Sequence, residues 1–190
     1  MRLGYTEADL RRIDQLAGAP LRQPEDLRRV IDRLGYLDDW RSNYLVRSVR
    51  SSLHSEKITC IDAAILSYGL LELLFPDTPR KLLAIHRRNP EGEECGHCVT
   101  LFMTNGKLGA FSKSSFVGLG HRDAVFADEQ AVAESYARAY LAMSFTPLYF
   151  GVTTLEEAAG DLDWRGDPGE LNALSDRLKD RYQYAFESIR

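Results

Sequence analysis

Two groups of residues in this chain have the types and spacing that chemistry needs. Cys60 stands in Thr59-Cys60-Ile61-Asp62, a capping box that opens the apolar run "CIDAAILSYGLLELLF". A thiol in the first turn of a helix meets unpaired backbone N–H groups and the positive end of the dipole, which favour thiolate. A histidine beside it could take the proton and return it to a leaving group, while the Cys60 N–H holds an oxyanion. The second group is Cys95-Gly96-His97-Cys98, with the spacing of a thiol–disulfide couple and a histidine inside it.

Context separates the two. A reactive CxxC begins a helix, whose dipole lowers the pKa of the first thiol. Here Cys98 runs instead into "HCVTLFMT", which Asn105-Gly106 joins to "KLGAFSKS" as a β-hairpin. Cys95 and Cys98 are therefore not expected to form a functional redox couple, and thiol oxidoreductase is kept as a minor alternative. A zinc site built on the same pair would need further ligands, with His86 and His121 the candidates, but no second spaced pair exists. No metal and no cofactor is expected.

The hairpin sets side-chain directions. A two-residue turn pairs Thr104 with Lys107, which puts His97, Val99, Leu101 and Met103 on one face with Leu108, Ala110, Ser112 and Ser114. Cys98, Thr100 and Phe102 point the other way. His97 is thus expected on the core side and next to Cys60, with a hydroxyl from Ser112 or Ser114 against its ring. Asp123, in "GHRDAVF", is read as a loop residue that could bring a carboxylate.

Around these residues the pattern is helices first, an antiparallel sheet next, helices last. Thr6 caps a helix that stops near Gly18, and "PEDLRRVIDRL" starts at Pro24 and stops at Gly35. "DDWRSNYLVRSVRSSL" is read as a third helix and "HSEK" as a loop. The helix that follows Thr59 is apolar on nearly every side and should be the buried centre. "RKLLAIHR" and "PLYFGV" read as strands, "DEQAVAESYARAYLAM" and "ELNALSDRLKDRYQYAFESI" as helices. The fold class is α+β, in one domain over 1–190: a helical part (1–56), a core (58–115) and a C-terminal helix and strand part (116–190).

The run from Ile58 to Ser115 resembles the transglutaminase-like superfamily, relatives of the papain-like cysteine proteases. "CIDAAILSYGLLELL" resembles its nucleophile helix, written C-x-D-x-A-x-L, and "TPRKLLAIHR" its first strand. "HCVTLFMTNGKLGAFS" resembles the strand-turn-strand that carries histidine and acid. The resemblance implies a central helix packed on an antiparallel sheet, here with extra helices at both ends. It also implies Cys60 as nucleophile, His97 as base, and hydrolysis or transfer of an amide or acyl group through a thioester.

The chain departs from the family at several positions. Ile58 and Ile61 border the cysteine where glycine and aromatic residues are usual, and Cys98 and Val99 follow the histidine. Where the family has aspartate, fifteen residues past His97, this chain has Ser112. A serine can orient imidazole but cannot stabilise imidazolium with charge. The resemblance therefore leaves two readings: a cysteine-dependent hydrolase or acyltransferase with Cys60, His97 and Ser112, or an inert binding module. Arylamine N-acetyltransferases share the fold, which keeps an acyl-CoA donor open.

Composition bounds the partners. With 190 residues, 44% apolar and 27% charged, the chain suits a single globular core. A net charge of −4, with acids between Arg11, Arg12, Arg28 and Arg29, lacks the basic excess of a nucleic-acid surface. The start "MRLGYTEADLRR" has no signal-peptide core, and no run reaches the length of a membrane span. An odd cysteine count argues against a disulfide framework. The expected setting is the cytoplasm, and the expected partner a peptide, amide or acyl substrate.

Overall fold

The longest helix is also the most deeply enclosed. The computed structural model describes residues 4–38, 45–166 and 171–186. Before that helix come α1 (Glu7–Ala17), capped by Thr6 and closed by left-handed Gly18, a 3-10 turn over Pro24–Leu27, and α2 (Arg28–Arg33). Strand β1 (Gly35–Tyr36), α3 (Val49–Leu53) and β2 (Lys57–Ile58) follow. The two short strands pair in parallel and lead the chain into α4 (Cys60–Leu74).

Thr59 caps α4: its hydroxyl accepts from the Asp62 N–H, and the Asp62 carboxylate accepts from the Thr59 N–H at 3.0 Å. Eleven of the fifteen residues of α4 are buried. A helix apolar all round must be covered all round. The sheet covers one side, where Thr100 Oγ1 donates to the Ala64 carbonyl at 2.6 Å.

Six antiparallel strands make that sheet. They are β3 (Arg80–Arg88), β4 (Glu94–Thr104), β5 (Lys107–Phe111), β6 (Arg122–Phe126), β7 (Thr146–Thr153) and β8 (Tyr184–Ala185). In space they run β6-β5-β4-β3-β7-β8. Helix α5 (Glu129–Ala142) carries the chain from one edge to the other side of β3. Two further helices, α6 (Leu155–Ala159) and α7 (Asn172–Lys179), follow β7. The α+β class and the buried central helix on an antiparallel sheet are as expected.

The β4–β5 register is the one that the Asn105-Gly106 turn dictates, Thr104 opposite Lys107 and Leu101 opposite Ala110, with both turn residues at positive φ. One consequence differs from expectation. The sheet is covered on both faces, so both sets of β4 side chains are buried. Cys98 and Phe102 pack in the core around α4, whereas Val99, Leu101, Leu108 and Ala110 pack under α5 with Val132, Ala133, Tyr136 and Tyr140. The face of His97 is thus the α5 face, not that of the central helix. Met103, expected inward, lies at the open end of the strand and is 37% exposed.

Other differences have local causes. "GHRDAVF" is not a loop; its Arg122–Phe126 is β6, recruited by the free edge of β5. The last helix ends at Lys179, and Tyr184-Ala185 pairs with Tyr149-Phe150 of β7. An open strand edge offers this aromatic stretch a ladder that outweighs helical periodicity. Glu170 and 187–189 of that expected helix lie outside the described residues, as do 39–44 of the third. Of the third, Val49–Leu53 is helical, and Lys57, expected in a loop, starts β2. Gly151 of β7 permits the C-terminal crossing, because a Cβ there would collide with the Arg181 carbonyl.

The register gives a direct test. Leu101→Ala should lower unfolding free energy by about 2–5 kcal/mol, as for a core leucine. Met103→Ala, on the same face but at the open end, should cost under about 1 kcal/mol. Urea titrations of both variants measure the difference, and equal costs would contradict this packing.

Candidate active site

Cys60 and His97 both line a cleft of about 1320 Å³ at the N-terminal end of α4. The cleft is walled by Thr59, Cys60 and Ile61 of the helix start, Ala84, His86 and Arg87 of β3, and Cys95 to Cys98 of β4. Tyr36 closes one side and Tyr182 another. Tyr182 stacks on His86, ring centroids 5.0 Å apart, and its hydroxyl lies against Gly96.

Cys60 is half-buried and is the first residue of α4. Burial pushes its thiol pKa up. Opposing that rise are the backbone N–H of Cys98, the charge of Arg87, and the N–H groups of Ile61 and Cys60 itself. The sulfur thus lies among amide donors, as a helix start provides, yet the helix end does not outweigh desolvation.

His97 is buried, opposite Ile85, between the edges of Tyr136 and Tyr140 at centroid distances of 5.8 and 6.3 Å. Its Nε2 lies 2.9 Å from Ser112 Oγ, which is itself 2.6 Å from the Leu119 carbonyl. The hydroxyl has one proton, and a carbonyl can only accept, so that proton goes to Leu119. His97 Nε2–H must then donate to the serine, leaving Nδ1 unprotonated. Burial first, then the cations Arg87 and Arg122, push the His97 pKa down to about 3. The imidazole is neutral.

The thiol and the imidazole approach β4 from different sides. Helix α4 packs on the face of Cys98 and Thr100, while His97 leaves on the α5 face. They line one cleft; the hydrogen bond made by the ring is to Ser112. Of the two serines considered, Ser112 holds the ring, and Ser114 Oγ accepts from the Phe116 N–H instead. Asp123 pairs with Arg28 at 2.6 Å and not with His97. The carboxylate of this region is Asp32: the Ser112 N–H donates to His121 Nδ1 at 3.0 Å, and His121 Nε2 lies 3.0 Å from Asp32 Oδ1. That relay joins residues far apart in the chain, and no local spacing signals it.

The CxxC pair lies wholly within β4. Three residue steps along the strand put the two Cα atoms about 10 Å apart, beyond the 7 Å limit of a disulfide, and point the side chains to opposite faces. Burial raises both thiol pKa values. The two histidines weighed as zinc ligands are engaged elsewhere, His121 with Asp32 and His86 with Glu94 at 3.3 Å. Among the described residues no three metal-type side chains gather.

Arg87 was not signalled by any motif. Its parity was readable, since it follows Leu83 and Ile85 on the face that ends at His97, but a strand-end arginine usually reaches solvent. This one is only 7% exposed.

Comparison with known proteins leaves the assignment to the site itself. No family model matches the sequence, and no curated protein does. Among solved structures the chain is similar to Legionella pneumophila LapG, at 17% identity over 92% of this chain and 91% of that one, with a TM-score of 0.42. The EGTA-treated form of the same protein gives 16% identity, 93% and 91% coverage, and a TM-score of 0.39. These are distant likenesses over almost the whole length, too loose for residue roles to be carried across.

Proposed function

We propose that the chain is a cysteine-nucleophile acyl hydrolase or transferase, with Cys60 as nucleophile, His97 as base and Ser112 as the group that orients His97. The observation that carries this reading is the hydrogen-bond chain from His97 Nε2 through Ser112 Oγ to the Leu119 carbonyl. It fixes the tautomer whose free nitrogen, Nδ1, can accept a proton, and it does so at the cleft that holds a helix-start cysteine.

In this reading the resting dyad is uncharged. Substrate binding brings a carbonyl carbon to the sulfur, and the thiol proton moves to His97 Nδ1 as the S–C bond forms. The N–H groups around the sulfur hold the resulting oxyanion. Collapse releases the amine or alcohol with the proton from Nδ1 and leaves a thioester on Cys60; water or an acceptor then removes the acyl group. Without a carboxylate on the ring, imidazolium is poorly stabilised and acylation is slow. Substrate closure must also bring thiol and ring together, as apo catalytic contacts often tighten on binding.

A second reading is a binding module on the same framework. The raised thiol pKa, the depressed imidazole pKa and Ser112 in place of an acid favour it. Under either reading we place the chain in the cytoplasm, where its cysteines would stay reduced. Among the described residues no helix is long and apolar enough to cross a membrane. An acyl-CoA donor is an alternative acyl source, and thiol oxidoreductase the least supported chemistry.

An activated ester separates the readings. p-Nitrophenyl acetate should leave a hydroxylamine-sensitive acetyl group on Cys60, seen by peptide mass mapping, and His97→Gln should abolish it. The enzyme reading fails if Cys60 is acetylated no faster than a free thiol. Ser112→Asp should speed acetylation, because a carboxylate at the ring raises the imidazole pKa by about 1–3 units; the new charge facing the Leu119 carbonyl should cost stability.

The neutral imidazole has its own pH signature. A histidine held near a pKa of about 3 in the folded protein titrates near 6.5 when unfolded. Its neutral form is thus favoured by folding, and the stability it contributes is complete above pH 6.5 and lost as pH falls toward 3. Wild type should lose more stability between pH 7 and pH 4 than His97→Gln, measured by denaturant midpoints. Equal losses would mean that His97 is not held neutral.

A further inference from the structure

Among the described residues Arg87 is a buried cation that no acid pairs with. Its Nη1 donates to the Gly96 carbonyl at 3.0 Å, and its Nε is buried with no partner among the described residues. The guanidinium lies over the rings of Tyr140 and Phe145, 4.5 and 5.1 Å from their centroids. Aromatic contact on its faces leaves the N–H edges as the directions for further bonds. Among the described residues no carboxylate pairs with it. Of the three acids that line the same cleft, Glu94 is 2.9 Å from Arg88, Asp38 accepts from Ser115 at 3.2 Å, and Glu91 is exposed to solvent.

Its position is imposed by the sheet. Between His86 and Arg87 the ladder with β7 slips, His86 facing Tyr149 and Arg87 facing Pro147. The extra residue, Leu148, belongs to β7, whereas the ladder of β3 with β4 runs through unbroken, so Arg87 keeps the face of Leu83 and Ile85. The result is an arginine turned into the cleft that Cys60 lines. Taking an ion out of water is costly unless a partner compensates it, and arginine's planar fork matches a carboxylate.

We propose that Arg87 forms a carboxylate subsite beside Cys60, selecting substrates that carry an anionic group close to the bond under attack. It rests on the cysteine-nucleophile reading for which bond is attacked, but the binding of a carboxylate next to the sulfur is a separate matter. The carboxylate is either an acidic side chain or the free end of a peptide chain, two sources with one chemistry.

The test compares iodoacetate with iodoacetamide. Both alkylate the thiolate with loss of iodide and differ only in charge, so their rate ratio at Cys60 cancels any change in thiolate fraction. Peptide mass mapping distinguishes Cys60 from Cys95 and Cys98. In wild type the ratio should exceed that of a free-thiol reference by about tenfold, as an opposite charge at close range allows, and should saturate with iodoacetate. Arg87→Gln should bring it to the reference value, and Arg87→Lys should retain part of the preference. A wild-type ratio equal to the reference overturns the proposal, and this arm needs no variant to fold.

Competition identifies the source. Acetylated and amidated tripeptides with one glutamate carry a side-chain carboxylate; acetylated alanine tripeptides with a free C-terminus carry a terminal one. Slowing of iodoacetate alkylation by either class supports the subsite and names the group. If neither slows it, the subsite does not serve a peptide and the proposal falls. Charge preference at Cys60 without any acetyl-enzyme would defeat the catalytic reading alone; acetyl-enzyme without charge preference would defeat the subsite alone.

Discussion

Covering a sheet on both faces is the constraint from which most of this structure follows. The inner strands β3 and β4 have α4 on one side and α5 on the other. Every side chain along their middle must then be apolar or find a hydrogen bond inside the protein. Thr100 finds the Ala64 carbonyl, and His97 finds Ser112. The same constraint turns Cys95 and Cys98 to opposite faces of β4 and makes Cys98 a core packing residue, while Cys95 is left half-buried at the cleft. It also means that thiol and imidazole reach their cleft from different sides of one strand.

Burial on this scale decides the electrostatics of the site. A helix start, with its N–H groups and dipole, lowers a thiol pKa in water-exposed settings, but here desolvation is the larger effect on Cys60. A buried histidine beside two arginines is neutral for the same reason. A serine suits that state: it accepts one hydrogen bond from a neutral ring and passes its own proton to a carbonyl. An aspartate would suit the charged state. Ser112 and the low imidazole pKa are therefore mutually consistent, a site set for neutral partners. Arg87 is the exception, a permanent charge that no acid among the described residues balances.

Much of this was legible in the order of residues. The Thr59-Asp62 capping box placed Cys60 at a helix start, because such a box involves groups only three residues apart. Asn105-Gly106 fixed the hairpin register, because the φ values of that turn and the two-residue repeat of a strand leave one pairing. That register put His97 and Ser112 on one face, at a diagonal that a hydrogen bond can span. The unbroken apolar run of α4 announced a helix with no solvent side.

What the order of residues could not decide depended on what covers each surface. Alternation in β4 distinguishes two faces but not which helix each will meet: His97 is buried as expected, but under α5 rather than beside α4. Strands β6 and β8 exist because β5 and β7 had free edges to fill, a fact about neighbours distant in the chain. The relay from Ser112 through His121 to Asp32 crosses 80 residues of sequence between its ends. Local patterns record short-range hydrogen bonds and periodicity; desolvation, which favours the neutral forms of Cys60 and His97, is produced only when the whole chain closes around them.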